Sequence, residues 1–87
     1  MVINANKNII STAIDVFPNP VRNSLNLVIP AEAGLMKCAV YNVNGQKVME
    51  GDLASSDLEV SNSVNGFYML RLVSPNGDLF YSKFTKQ

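Results

Sequence analysis

Leu25, Leu27 and Ile29 alternate with Ser24, Asn26 and Val28. A two-residue period predicts a half-buried strand, because successive side chains on a strand point to opposite faces. Pro30 ends it, since proline has no amide hydrogen to give a ladder. Residues 36–43 form a second apolar run, rich in Val and Tyr and too short for a typical helix. Asn44-Gly45 follows, then Gln46-Lys47-Val48-Met49-Glu50. Asn-Gly between two strand-like runs predicts a tight hairpin with a type I′ turn, which needs positive φ at both central residues. Residues 57–61 again alternate polar with apolar. Gly66 opens Phe67 to Val73, which is apolar on both faces and so predicts a central strand, or one with a partner on its outer face. Ser74-Pro75-Asn76-Gly77-Asp78 predicts a second turn, leading to Leu79–Thr85 with Phe80 and Phe84 on one face.

With Ala13 to Phe17 as a first short strand, the chain holds about seven strands and no segment with a convincing helical period. The short connections leave no room for the crossover helices of a parallel β/α fold. The expected fold is all-β, an immunoglobulin-like antiparallel β-sandwich. The Cys-Trp-Cys mark of antibody domains is absent, so that likeness is architectural. Residues 1–13 are polar and Asn-rich and read as a linker; residues 14–87 read as the folded domain.

Composition narrows the possible functions. Eighty-seven residues, 47% hydrophobic, make one domain of modest stability. Seven basic residues balance seven acidic ones. That disfavours nucleic acid as a partner, which needs a basic face, and an electrostatic membrane anchor as well. Cys38 is the single cysteine and lies in an apolar run, so it reads as a buried, inert thiol. No apolar stretch has the length of a membrane span. The first residues lack a signal-peptide layout, so an export signal, if the protein has one, lies elsewhere, and the chain is expected to be a piece of a longer protein with Met1 added to begin it.

Catalysis is not expected. Histidine is absent, which removes the commonest general base and metal ligand. No serine has a recognisable activating partner, and no phosphate loop or zinc-binding cysteine pair is present. Asp52, Asp57 and Glu59 match no calcium-loop spacing and read as a solvated acidic loop. No cofactor and no small-molecule substrate are expected.

Other positions allow two readings. Pro18 and Pro20 stiffen the chain and push Phe17 and Asn19 into extended conformations, which makes either a plain connector or a rigid docking corner. Phe67, Met69, Arg71 and Val73 share one strand face opposite Tyr68, Leu70 and Leu72. Phe67 and Met69 are then an exposed partner surface, or loop residues 52–63 cover them. Lys83 and Lys86 flank Phe84 and read as guards of an edge strand. Gly45, Gly66 and Gly77 each follow an asparagine and are assigned to folding, with Tyr68 beside them.

Four motifs occur in order: Val16-Phe17-Pro18-Asn19-Pro20, then Tyr41-Asn42-Val43-Asn44-Gly45-Gln46-Lys47-Val48, then Asn65-Gly66-Phe67-Tyr68, then Lys83-Phe84. In this order, over roughly residues 14 to 86, they resemble the type A C-terminal sorting domain of the bacterial type IX secretion system. The resemblance implies a cargo that crosses the inner membrane by a signal peptide. Its C-terminal domain then folds in the periplasm and is recognised by the outer-membrane translocon. A surface sortase of the cysteine-peptidase type next removes the domain, cutting near or within residues 1–14, and the cargo is anchored at the surface or released. The resemblance implies recognition at Pro18, Asn19, Pro20 and the last strand, with Lys83, Phe84 and Lys86; Phe67 and Met69 are added as the candidate surface. Two other readings stay open: an accessory carbohydrate-binding or adhesive module, and a plain spacer beside a catalytic domain.

Overall fold

The computed structural model describes residues 11–29 and 35–87. Most of the expected linker, most of the expected cleavage segment, Met1 and the strand end at Pro30 lie outside them.

The described residues form eight strands: β1 (Ser11–Ala13), β2 (Val16–Phe17), β3 (Ser24–Leu27), β4 (Met36–Asn42), β5 (Lys47–Leu53), β6 (Asp57–Glu59), β7 (Gly66–Val73) and β8 (Leu79–Lys86). One sheet has the order β1-β8-β7-β4-β5 and the other the order β2-β3-β6. The fold is therefore the expected all-β sandwich. Every pairing between strands is antiparallel except β1 with β8, which is parallel. Almost the whole domain separates those two strands, so their parallel alignment needs no crossover helix.

The two-residue period decides which side chains enter the core. Leu25 and Leu27 from the small sheet meet Met36, Cys38 and Val40 from β4, and Tyr68, Leu70 and Leu72 from β7; all are buried. Leu58, Val60, Phe80 and Phe84 complete the same cluster, with Val21. Leu70 and Leu72 are fully enclosed, and burying one such side chain contributes about 1.5–3 kcal/mol. The rings of Tyr68 and Phe84 stack with centroids 5.4 Å apart. The Tyr68 hydroxyl donates to the Val64 carbonyl, which satisfies its polar end.

Two expectations need correction. Ala13–Phe17 is not one strand: Ala13 ends β1 in the large sheet, and Val16-Phe17 form β2 in the small one. The alternation persists through the crossing because Ile14 and Val16 both turn toward the core, while the backbone changes partners. The Ile14 amide donates to Tyr81, whereas the Asp15 carbonyl accepts from Val28 (each 2.9 Å). Periodicity reports the buried face, not the sheet to which the backbone belongs.

The second correction concerns the Asn-Gly hairpin. The Gly45 amide donates to the Asn42 carbonyl (3.0 Å), so Val43 and Asn44 are the central turn residues and Gly45 comes after them. The Asn42 side chain sets this wider loop, its Oδ1 accepting from the amides of Asn44 and Gln46 (each 3.0 Å). Such an Asx turn competes with the two-residue alternative. The Ser74–Asp78 loop repeats the bonding, with Gly77 donating to the Ser74 carbonyl (2.9 Å) and Asp78 to Ser74 Oγ (3.1 Å). Gly45 and Gly77 hold φ of 81° and 91°, a region open to glycine at little cost.

Candidate recognition surface

β8 is the strand on which the predicted recognition residues converge. It is not an edge strand, because β1 lies along its first half. The N-terminal segment leaves β8 after Ile14, passes through β2, turns at Pro18-Asn19-Pro20 and returns to β8 at Val21, which bridges to Lys86. Both bonds preceding the prolines are cis. Across the gap between these two backbone contacts the Asn19 side chain takes over. Thr85 donates its amide to Asn19 Oδ1 (2.9 Å), and Asn19 Nδ2 donates to the Lys83 carbonyl (3.4 Å).

A primary amide carries the donor and acceptor of a peptide group, so Asn19 continues the ladder where the main chain bows away. The Val21 amide then donates to Thr85, and Gln87 donates to the Val21 carbonyl (each 2.8 Å). On its other side the corner is pinned by Asn26 Nδ2, which donates to the Phe17 carbonyl (3.2 Å). Pro18, Asn19 and Pro20 remain exposed, so a fixed backbone presents them to solvent.

The outward face of the large sheet follows from the register. Tyr41, Met69 and Lys83 stand in one row across β4, β7 and β8, with Phe67 and Thr85 in the next. Phe67 is 68% exposed and Met69 45% exposed, so loop 52–63 does not cover them. Val43 lies beyond the end of β4 and is 73% exposed. These side chains line a groove of about 590 Å³ that reaches from Asn19 to Arg71. A second groove of about 590 Å³ lies on the far side of the Val43 and Phe67 wall and is flanked by Val48 and Val64.

The structure thus gathers Asn19, Phe67, Met69, Lys83 and Phe84 around one groove. Pro18 and Pro20 adjoin it through Asn19. Lys86 stands apart: it is buried, and its Nζ donates to the Gln87 carbonyl (3.1 Å). It therefore does not act as an exposed guard. Sequence reasoning missed Val43 and Val64, although a β-branched apolar residue in a polar loop, where folding does not require it, was a usable signal.

Charge is unevenly placed on this face. On the β4–β5 side Lys37 pairs with Asp52 (3.7 Å) and Lys47 with Glu50 (2.7 Å). The Lys47–Glu50 contact raises the Lys47 pKa and lowers that of Glu50 through their hydrogen bond and mutual charge, while Arg71 acts on Lys47 in the opposite direction. Arg71 and Lys83 form no salt bridge among the described residues. Asp57 and Glu59 lie on β6 in the other sheet, away from Asp52 on β5. Burial pushes the Cys38 thiol up to about 11, which keeps it protonated and inert.

The sequence profile of the secretion system C-terminal sorting domain matches residues 15–87. The chain belongs to that family. A solved structure from Porphyromonas gingivalis has the same fold with a TM-score of 0.64 at 14% identity. It is PorZ, described as an essential bacterial surface component of the type-IX secretion system. The match covers 85% of this chain and 11% of the PorZ chain. No curated protein matches the sorting domain. Family membership makes the chain a type IX secretion signal, and such a signal marks cargo for the cell surface or the extracellular space.

Proposed function

We propose that this domain is a non-catalytic export label, read in folded form by the outer-membrane type IX translocon and then removed by a surface sortase. One observation carries the reading. The Pro18-Asn19-Pro20 corner and the last strand form one rigid surface, because the Asn19 amide bonds to Lys83 and Thr85 of β8. A corner and a terminal strand that a secretion machine reads together must keep a fixed relation, and this bonding supplies it. The cargo passes through the periplasm, where the domain folds and keeps its upstream partner covalently attached. The sortase cuts near or within residues 1–14, at the start of the domain.

The test is a fusion of residues 1–87 to a fluorescent protein bearing a periplasmic signal peptide. It is expressed in a host with the type IX system and in a translocon-null strain. Export only in the competent host, with loss of a fragment of about 9.5 kDa, is the expected result. Equal periplasmic retention in both hosts overturns the reading.

A further inference from the structure

Resting on the export reading, we propose that the groove on the β7–β8 side of the large sheet docks an extended acidic and apolar segment of a partner protein. In that docking a carboxylate sits between Arg71 and Lys83, and an apolar side chain rests against Met69 and Phe67.

Three observations carry this. First, Met69 faces Lys83 and Arg71 faces Tyr81 across β7 and β8. Arg71 and Lys83 are therefore diagonal neighbours, about 7–8 Å apart at the backbone, and one carboxylate or two alternating ones can engage both. Second, these two cations lack acidic partners among the described residues, whereas Lys37 and Lys47 on the same face each have one. Arg71 also borders the depression that holds Lys47, Glu50 and Asp52, but with Lys83 it leaves the β7–β8 half with two cations and no acidic side chain lining its apolar groove, which steers and orients an acidic partner. Third, the floor is preformed: Asn19 holds the Lys83 carbonyl, and Met69 and Phe67 sit on the central strand β7. Little ordering remains to oppose binding.

A protein segment fits better than a lipid surface. Membrane attachment needs a polybasic cluster, while this chain is balanced at seven charges of each sign and presents two uncompensated cations around a bounded groove.

The test titrates isotope-labelled protein with acetyl-Leu-Glu-Phe-Glu-Leu-amide and, separately, with its counterpart carrying Lys in place of Glu, following amide shifts by NMR. Phosphatidylglycerol vesicles form a third arm. The acidic peptide is expected to shift Tyr41, Phe67, Met69, Arg71 and Lys83. Its affinity should fall about tenfold or more in Arg71→Glu, and by a similar factor in about 1 M salt, where the screening length is about 3 Å. Equal response to both peptides, shifts elsewhere, binding to vesicles alone, or a groove already filled by a second copy at working concentration overturns the proposal.

The export fusion separates this idea from its premise. If the wild-type domain fails to export, the sorting reading falls while the peptide result stands by itself. If the Arg71→Glu, Lys83→Glu double variant keeps its Tm and exports at the wild-type level, the docking site falls and the sorting reading survives. Asp52→Lys, on the compensated half, controls for a general effect of charge and is expected to export normally.

Discussion

The two sides of the five-stranded sheet solve different problems with the same kind of strand. On the β5 side the sheet ends, among the described residues, in an open edge, with its charges paired locally as Lys37–Asp52 and Lys47–Glu50. On the β8 side the backbone is covered by the N-terminal segment and by Asn19, while Arg71 and Lys83 on the outer face have no salt bridge among the described residues and Phe67 and Met69 stay exposed. An open edge invites unwanted pairing, and charged side chains are the usual protection. A strand whose backbone is already covered, as that of β8 is, can leave its outer face uncompensated without that risk. The comparison teaches that the half of the sheet proposed for recognition is the one in which β8 already has its backbone covered.

The largest test of this contrast lies beneath the groove. Phe84→Ala removes a ring that is 2% exposed and stacked on Tyr68. Calorimetry should show a loss of about 3–5 kcal/mol, and export should fall with the fold. Gly45→Val comes next. No atom crowds a Cβ there, so the penalty is that of a β-branched residue at φ 81°, about 1–3 kcal/mol. An unchanged Tm in the purified variant would show that the loop has another conformation open to it.

Asn19→Ala is smaller and more telling. It removes the two bonds to Lys83 and Thr85, at about 0.5–1.5 kcal/mol. It should also speed hydrogen exchange at Thr85 while leaving β5 amides unchanged. Equal exchange at both edges would show that the seal does not depend on this side chain.

The smallest effect belongs to the β5 side. Lys47 holds the Glu50 carboxyl below its ordinary pKa. The contribution of that carboxylate is therefore complete above the ordinary carboxylate pKa and lost as pH falls through the lower folded value. Lys47, raised by Glu50, makes the mirror contribution, present below its ordinary pKa and lost as pH climbs through the folded one. Both groups are exposed, and exposed pairs add little. The Tm difference between wild type and Glu50→Gln should thus be slight at neutral pH and vanish in acid; a difference that grows in acid would reverse the assignment.

The sequence made some of this architecture readable, for identifiable reasons. The burial of Leu25, Leu27, Leu70 and Leu72 follows from alternation alone. The two hairpins were readable as hairpins, but the first was not readable in its register, because Asn44-Gly45 was read as the turn centre. In both loops the residue that decides the matter is the one at the end of the preceding strand, Asn42 or Ser74, whose side chain accepts a later amide. Pro75, at the position proline favours in a type I turn, marked the true centre of the second loop and by analogy that of the first. The role of Asn19 was not readable. Its partners are 64 and 66 residues away, and no local pattern encodes a bond of that span. The groove was half readable: Phe67 and Met69 announced an apolar outer face, but the diagonal of Arg71 and Lys83 exists only once β7 and β8 are in register.

The pairing of β1 with β8 and of Val21 with Lys86 has a consequence for the timing of synthesis. Of the domain's own strands, the one that joins its start to its centre is made last. Until β8 has been made, β7 has β4 alone beside it, Asn19 has neither of its partners, and the groove lacks Lys83, Phe84 and Thr85. A chain whose translation stops before β8 therefore carries no finished sandwich, and completion of the fold reports that its closing strand was made.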